Sequence, residues 1–335
     1  AGAALVFSGD DSESPTIDTT YVTLDLGQQP TYISSEITAG DSYIARGNSQ
    51  LTLTDVYVTP QGDQTRVIVR AELQAPGGDG GLMYANAPPR LGRTLDIATD
   101  RYQVRGQIRA VGENGSLSRG STTVVLTDTM TAADAREIAP GDEIRVAGKS
   151  VAVIEDVAAY GTGEPAERRV FVEATLQTHR QQGEHYFGGS QVRRGQTITL
   201  AGGSYTLEGR LERVGGGLER DSTDVVIEGV VPSETALKMS EGDVATVAGQ
   251  DTAQVAHVTT YATQNPDQKR VYVGVSLQTL AYNGLEHFGE VRVQRGADVT
   301  LDTGQYTLSG LIERVGTLEP RGSVRTRTVV LQMSE

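Results

Sequence analysis

A sequence block of about 100 residues occurs three times in this chain of 335 residues. Tyr102, Tyr205 and Tyr306 mark the same place in successive copies, 103 and 101 residues apart. A glycine lies four residues after each tyrosine and repeats with the same spacing: Gly106, Gly209 and Gly310. Because a fixed period of this length means that one structural unit recurs, any fold proposed for the chain has to be built three times.

The residues within each copy follow a two-residue period. In the second copy Thr197 and Thr199 alternate with apolar residues, and Tyr205 and Leu207 alternate with polar ones after a glycine pair. This period is the signature of β-strands, and glycines between such segments suit turns and bulges. A short helical segment precedes a Gly-Asp pair in each copy. We therefore predict an all-β fold class: three tandem β-barrel or β-sandwich domains of about 100 residues with one short helix each, plus an N-terminal strand-like tail.

The repeats also set the predicted domain boundaries. A tail and linker covers residues 1–19, and three β-domains cover residues 20–121, 122–223 and 224–335. The strand that closes each of the first two copies runs directly into the next copy, so we predict no linker between the domains. The segments predicted as equivalent central strands are residues 66–69, 169–172 and 270–273.

The charge of the chain narrows the classes of partner. There are 43 acidic and 29 basic residues, a formal net charge of −14, and three of the basic residues are lysines. Such a lysine-poor acidic surface favours a halophilic protein, which stays soluble in concentrated salt; an ordinary acidic secreted protein is the alternative. Because the surface repels nucleic acid and anionic lipid, neither is a predicted partner. The chain has no cysteine, so disulfides do not stabilise it.

This charge distribution leads to a first prediction. The melting temperature should rise as the KCl concentration is raised from low ionic strength to molar values, because screening relieves repulsion among the 43 carboxylates. Thermal unfolding followed by circular dichroism across a KCl series measures this. A melting temperature that stays level or falls would contradict the halophilic interpretation.

The N-terminus is apolar over residues 1–7 and then polar and acidic over residues 8–19. Seven residues are far fewer than the roughly 20 that a membrane span needs. Since the sequence begins with alanine rather than methionine, we expect that a leader was removed or that the sequence begins inside one. Membrane contact is therefore expected only through a removed or absent N-terminal leader.

The apolar tail suits a strand that is buried on both faces. An incomplete β-domain leaves an open edge, and a strand from a neighbouring subunit can cover it, as in donor-strand complementation of pilins. We predict that the tail inserts as a β-strand into a domain of the next copy, and of the three domains we expect the C-terminal one. The predicted donor-strand residues are Ala3, Ala4, Leu5, Val6 and Phe7.

No residue pattern in the chain indicates catalysis, so we predict that the protein is not an enzyme and has no small-molecule substrate. The histidines are His179, His185, His257 and His287, and they lack the spacing and the cysteine partners of a zinc site. No metal or other cofactor is predicted. Asn114 opens an Asn-Gly-Ser sequon in a glycine-containing turn and is a possible glycosylation site.

The second copy contains Tyr-Phe-Gly-Gly-Ser-Gln-Val-Arg-Arg-Gly-Gln-Thr-Ile-Thr-Leu at residues 186–200 and Tyr-Thr-Leu-Glu-Gly-Arg-Leu at residues 205–211. Together with the upstream Gly-Asp strand, these runs resemble an uncharacterised family, the domain of unknown function numbered 4330. The resemblance extends over all three copies, although the first departs from the Gly-Gly pattern at residues 85–89. Members typically carry one N-terminal membrane helix, and many come from salt-loving archaea. The resemblance implies an extracellular or cell-surface location and no activity.

Two functional hypotheses remain open at this stage. The first is a structural subunit of a pilus-like extracellular filament, a homopolymer that assembles head-to-tail by N-terminal donor-strand insertion. The second is a membrane-anchored extracytoplasmic adaptor or binding protein with three β-domains. An intact upstream membrane helix on the native protein would favour the second hypothesis, and a cut before Ala1 would favour the first.

Overall fold

The computed structural model describes residues 17–76, 81–164, 166–282 and 284–320. These residues form three curled, barrel-like sheets and three short helices, which confirms the prediction of three tandem β-domains with one short helix each. The N-terminal donor-strand segment, residues 3–7, lies outside the described residues.

The first repeat begins with the long strand β1, and its helix begins directly after Pro30, slightly earlier than residues 34–38, where the sequence pattern predicts it. Its elements are β1 (Ile17–Gln29), α1 (Thr31–Ser34), β2 (Ser42–Ala45), β3 (Ser49–Gln61), β4 (Gln64–Pro76), β5 (Thr94–Ala98) and β6 (Gln103–Gly112).

The second and third repeats have the same order and add a small hairpin. The second repeat comprises β7 (Arg119–Thr131), α2 (Ala132–Glu137), β8 (Glu143–Val146), β9 (Lys149–Gly161), β10 (Glu167–Gln181), β11 (Glu184–Phe187), β12 (Ser190–Gln191), β13 (Thr197–Ala201) and β14 (Thr206–Val214). The third comprises β15 (Arg220–Pro232), α3 (Ser233–Ala236), β16 (Val244–Val247), β17 (Gln250–Ala262), β18 (Gln268–Tyr282), β19 (Leu285–Phe288), β20 (Val291–Arg292), β21 (Asp298–Asp302) and β22 (Thr307–Val315).

All three sheets share one topology. The first has the order β2-β3-β4-β1-β6-β5, and in the third the corresponding path is β16-β17-β18-β15-β22-β21. The opening strand of each repeat therefore lies in the middle of its sheet, antiparallel to its neighbours on both sides. The three segments predicted as central strands fall in β4, β10 and β18, which hold equivalent places. The middle of each opening strand is buried on both faces, as at the consecutive residues Val22, Thr23 and Leu24.

Residue contacts divide the chain into two compact units. The first comprises the chain up to Ser121 together with Arg145–Val151 and Gln177–Val192. The second comprises Thr122–Ile144, Ala152–Leu176 and the chain from Arg193 onward. The first unit thus contains the first repeat together with two segments of the second, and the second unit contains the rest of the second repeat together with the third. A hydrophobic core in the second unit includes Tyr160, Phe171 and Phe288, which come from two different repeats.

Candidate functional site

The candidate site is one side of the second long strand of each repeat, β3, β9 and β17. The short strands β2, β8 and β16 cover only the beginning of this side, and the last backbone hydrogen bonds end at Leu53, Ile154 and Val255. Beyond those residues the outer side of the strand has unpaired backbone groups unless something else covers it. We call the four-residue stretches that follow the receiving edges; they are residues 56–59, 157–160 and 258–261.

The receiving edge of the first repeat is fully covered inside the first unit. The Tyr57 hydroxyl donates to the Gln177 carbonyl at 2.8 Å, and its ring lies 5.9 Å from the His179 ring. The Thr59 hydroxyl accepts a 3.2 Å hydrogen bond from the Gly188 amide. Burial raises the pKa of Tyr57 well above its ordinary value. All four residues of this edge are at most 5% exposed.

The second unit repeats this arrangement at residues 157–160. The Tyr160 hydroxyl donates to the Gln278 carbonyl at 3.2 Å, and Gln278 is the counterpart of Gln177. The Tyr160 ring makes edge contacts with Phe171 and Phe288, with centroids 5.9 and 5.2 Å away. Burial raises the pKa of Tyr160 to about 12. The sequence period places Tyr160 two residues beyond Tyr57, on the same face of the strand, so two different positions supply the same hydrogen bond.

An ion pair locks each of the two covered edges. In the second unit Arg220 holds Asp156 with two hydrogen bonds of 2.9 and 2.8 Å and also donates to the Val157 carbonyl. The hydrogen bond from Arg220 lowers the pKa of Asp156. In the first unit one Arg119 nitrogen, Nη2, donates to both the Asp55 carboxylate and the Val56 carbonyl. The pair in the second unit is bidentate, a geometry that fixes orientation as well as distance.

A second side chain helps to satisfy the same backbone carbonyl in both units. The Lys149 ammonium donates to the Val56 carbonyl at 3.1 Å, and the Gln250 amide donates to the Val157 carbonyl at 2.9 Å. Lys149 and Gln250 occupy equivalent positions, each directly after a left-handed glycine. The unpaired carbonyl of the receiving edge is therefore satisfied by side chains rather than by another strand.

The element that packs against a receiving edge is a tight turn, which we call the docking turn. It spans residues 187–190 in the second repeat, 288–291 in the third and 84–87 in the first, and its end residues pair in each case. Gly188 has a φ of 58°, and a Cβ there would lie 3.0 Å from the Pro60 carbonyl oxygen. A Cβ on Gly289 would lie 3.0 Å from the Cβ of Tyr160. Glycine is therefore required at this place by both backbone conformation and close approach.

The docking turn of the first repeat keeps the conformation without the glycines. Ala85 and Asn86 have φ values of 48° and 63°, in the left-handed region that costs energy for residues with a Cβ. The different sequence at residues 85–89 thus conceals the same turn. Its backbone is held by other contacts: Arg93 donates to the carbonyls of Tyr84 and Ala87, and Ser49 accepts from the Ala85 amide.

Within the described residues, the third receiving edge is uncovered. Val258 and Thr259 are half-buried, Thr260 is exposed, and Tyr261 is 36% exposed, whereas its counterpart Tyr160 is 2% exposed. The Tyr261 ring contacts only its own repeat's Tyr272 among the ring pairs described, with centroids 5.7 Å apart. This pair is the counterpart of Tyr160 and Phe171. The third repeat therefore presents the surface that the next repeat covers in the first two.

The aspartate of the arginine–aspartate ion pair is also replaced at this edge. His257 stands where Asp55 and Asp156 stand in the other repeats. Its Nδ1 atom lies 3.1 Å from a Glu241 carboxylate oxygen, and its Nε2 atom lies 3.1 Å from the Thr259 hydroxyl. The side chain is thus engaged with its own repeat. The replacement is visible when the copies are aligned, but the sequence alone does not indicate a role for it.

Equivalent cavities adjoin the two covered edges. One of about 440 Å³ lies in the second unit between Val125, Phe171 and Leu280, and one of about 190 Å³ lies in the first unit beside Thr23 and His179. The position lined by the apolar Leu280 in the larger cavity is lined by His179 in the smaller one. Because the lining changes between copies, the cavities follow from imperfect packing of repeats and do not indicate a repeated ligand site.

The other residues singled out from the sequence are dispersed. Asn114 is exposed in a turn, and its side-chain oxygen accepts a hydrogen bond from the Ser116 amide. His185 bonds the Thr178 hydroxyl, and His287 bonds the Leu285 carbonyl. Across the described part of the chain, no group of three potential ligand side chains could hold a metal ion. The described helices are all too short to cross a membrane.

Comparison of the chain with protein-family models, with curated proteins and with solved structures finds no match in any of the three.

Proposed function

We propose that the protein is a structural subunit of an extracellular or cell-surface, pilus-like filament that assembles head-to-tail by N-terminal donor-strand insertion. One observation carries this proposal: a receiving edge that is covered in the first two repeats is uncovered in the described part of the third. A chain that packs repeat upon repeat in this way offers the same packing to a further repeat at one end. Because the two surfaces involved are different, association through them is open-ended and gives a filament.

The uncovered edge is also suited to accept a strand. From residue 256 onward β17 pairs with β18 on its inner side. On its outer side the pairing with β16 extends only to Gln254, and the last backbone hydrogen bond is at Val255. The outer side of residues 256–262 therefore presents an open β-edge within the described structure, and added strands bind such edges through main-chain hydrogen bonds. The apolar segment Ala3–Phe7, with Leu5, Val6 and Phe7, has the composition of such a strand.

The extracellular location is part of the same proposal. It is supported by the acidic, lysine-poor composition and by the resemblance of the repeats to a family whose members are membrane-anchored and face outward. A surface filament in high salt would gain from a charge of −14, because like-charged filaments stay apart and soluble.

Removing residues 1–9 should abolish polymers and leave folded monomers. The reason is that the open edge loses its donor strand while the three domains keep their own strands. Electron microscopy and sedimentation velocity of residues 1–335 and 10–335 measure assembly, and far-ultraviolet circular dichroism measures folding. Assembly should be equally weakened in a full-length variant with Leu5→Asp, Val6→Asp and Phe7→Asp, because charged residues cannot be buried in a strand.

Asp10→Ala with Asp11→Ala is the matched control, since it changes the polar linker and keeps the apolar segment. Filaments that persist in the 10–335 chain would disprove donor-strand insertion. In that case the adaptor hypothesis would take its place if the native protein also proved to carry an upstream membrane helix.

A further inference from the structure

We propose that the uncovered receiving edge of the third repeat is the docking site for the first repeat of a second copy, with Ile17 of that copy placed at His257 in place of the internal arginine–aspartate lock. This inference rests on the proposed head-to-tail association, and it places the first repeat, rather than the Ala3–Phe7 strand, on residues 258–261, because the internal junctions cover this edge without an added strand. Its occupant is a second copy of the chain, and the argument is continuity with the two junctions already built inside the molecule.

The third repeat keeps the groups with which a receiving edge holds its partner. Tyr261 occupies the position of Tyr160, whose hydroxyl reaches a glutamine carbonyl of the next repeat. Arg270 occupies the position of Arg169, which pairs with Glu290 of the following docking turn. In the third repeat Arg270 instead bonds Glu228 at 3.0 Å and is half exposed. The edge thus has its aromatic anchor and its cation in place.

The first repeat keeps the complementary groups. Gln74 stands where Gln177 and Gln278 accept the tyrosine hydroxyl hydrogen bonds in the two units. The docking turn of the first repeat has the left-handed backbone of the later turns, and Tyr84 replaces Phe187 as its buried aromatic residue. The first repeat can therefore offer a carbonyl and a preformed turn, the same two features that cover the internal edges.

The surface of the first repeat that would cover the receiving edge also exposes apolar side chains. Met83 is 42% exposed and stands at the position of Tyr186, whose carbonyl accepts from Tyr57 inside the first unit. Ile17 is 67% exposed and stands at the position of Arg119 and Arg220. Apolar side chains at the centre of an interface gain free energy from burial. Their exposure here is explained if a second copy covers them.

Both members of the internal arginine–aspartate ion pair are replaced in the proposed junction. Ile17 replaces the arginine at one end of the chain, and His257 replaces the aspartate at the other. An isoleucine facing an aspartate would leave a buried carboxylate without a partner, which is costly. With a histidine there, which already bonds Glu241 and Thr259, no uncompensated carboxylate faces the isoleucine. The two replacements are therefore compatible with each other and not with the internal partners.

The same comparison argues against the chain's own C-terminal segment as the occupant. Arg321 begins an Arg-Gly-Ser sequence like that at Arg119, and it lies outside the described residues. An arginine at this place would meet His257 rather than a carboxylate, so it has lost the partner that fixes the internal junctions. The neutral side chain of Ile17 suits this edge better.

A double-mutant cycle at residues 17 and 257 tests the proposed register. His257→Asp alone should weaken association about tenfold, since the new carboxylate faces Ile17, and Ile17→Arg alone should weaken it by a similar factor. Both substitutions together recreate the internal lock, so the double variant should associate at least as tightly as the original chain. Sedimentation velocity over a concentration series gives the dissociation constants, and the double-mutant cycle gives the coupling between the two positions.

Tyr261→Asp should also weaken association at least tenfold, because it removes the aromatic anchor. Leu237→Asp is the matched control: it places the same charge at an 87% exposed leucine of the third repeat, at a position that no junction uses. All variants should melt like the original chain, since the substituted positions are exposed or half-buried.

The outcomes separate this inference from donor-strand insertion. If the 10–335 chain fails to assemble while Tyr261→Asp, His257→Asp and Ile17→Arg have no effect, the proposed docking site is wrong and donor-strand insertion stands. If the 10–335 chain still associates and Tyr261→Asp abolishes that association, the docking site stands without the donor strand. If the losses of affinity in the double-mutant cycle are additive, residues 17 and 257 are not coupled and the proposed register is wrong. If association of the intact chain does not depend on Ile17 and strengthens when residues 321–335 are deleted, the chain's own segment is the occupant and the docking proposal is wrong.

Discussion

Titrating the protein from neutral pH to above pH 12 should unfold it, with the loss of stability beginning near pH 10. The cause is a hydrogen bond that occurs once in every repeat. The hydroxyls of Tyr102, Tyr205 and Tyr306 donate to Asp41, Asp142 and Asp243 at 2.6, 2.9 and 2.7 Å. Burial, and then the bonded carboxylate, raises the pKa of each tyrosine well above its ordinary value of 10.

The direction of the pH effect follows from proton linkage. A group whose pKa is higher in the folded protein than in the unfolded chain stabilises the fold fully below the unfolded pKa. That stabilisation is lost as the pH rises through the folded pKa. Burial also raises the pKa of Tyr57, Tyr84 and Tyr160, the last two to about 12, so these groups act in the same direction. Arginines remain charged in this range, and the chain has three lysines, so the transition reports mainly on the tyrosines.

Phenolate absorbance and circular dichroism, followed together at constant salt, measure this transition. The phenolate signal and the loss of β-structure should rise together, because the buried tyrosines ionise only when the fold opens. Tyr205→Phe with Tyr306→Phe should cost about 1 kcal/mol per site at neutral pH and should move the transition to higher pH. Tyr32→Phe, at a 72% exposed position, is the control and should change neither. An unchanged transition in the double variant would contradict the assignment.

The tyrosine–aspartate bond shows how far sequence analysis reaches here. Both members are visible as repeated residues, Tyr102 with its copies and the Gly-Asp pairs at Gly40-Asp41 and beyond. Their contact is not visible, because more than 60 residues separate them in the chain. The period predicts that whatever one tyrosine does, all three do. It does not say which distant residue each one meets, since that depends on the curl of the sheet.

The receiving edges illustrate a second limit. The loops at residues 178–190 and 279–290 belong to the most variable part of each copy, a pattern that fits partner contacts and unconstrained loops alike. In the structure their turns pack against the preceding repeat within each unit, as the hydrogen bond from Gly188 to Thr59 and the ring contact between Phe288 and Tyr160 show. The informative positions are those where one copy differs from a residue that the other two copies share. His257 in place of aspartate and Ile17 in place of arginine could both have been read from the alignment of the copies.

Alternation of residues was sufficient for the fold because strand positions are determined locally, by which face of the strand is buried. Strand β13 shows this: Ile198 and Leu200 are buried, whereas Thr197 and Thr199, which alternate with them, are not. The turn at Ala85 and Asn86 could not be predicted in the same way. Left-handed backbone at residues with a Cβ is disfavoured locally, and only the surrounding contacts hold it in place.

Replacing Gly310 with alanine should destabilise the third repeat by at least about 3 kcal/mol. Gly310 lies in β22 where this strand crosses the opening strand β15, next to a register shift between Val226 and Ile227. A Cβ at this position would lie 2.8 Å from the Cγ2 atom of Ile227 and would overlap the backbone carbonyl of Glu228. A side chain can rotate away, but a backbone carbonyl in the middle of a sheet cannot move without breaking the ladder.

The repeated glycines provide an internal scale for this effect. At Gly209 the closest atom to an added Cβ would be the Cβ of Leu126 at 2.8 Å, and at Gly106 it would be the terminal Cδ2 of Leu26 at 2.6 Å. Since a terminal methyl group yields most easily and a backbone carbonyl least, alanine should cost most at Gly310, less at Gly209 and least at Gly106. Gly203→Ala is the control, because an added Cβ there has open space around it and the backbone is not left-handed. Urea unfolding of the four variants gives the free energies of unfolding. Equal losses at the three repeated glycines, or a loss at Gly203 as large as at Gly310, would show that crowding against the opening strand is not what fixes glycine at this position.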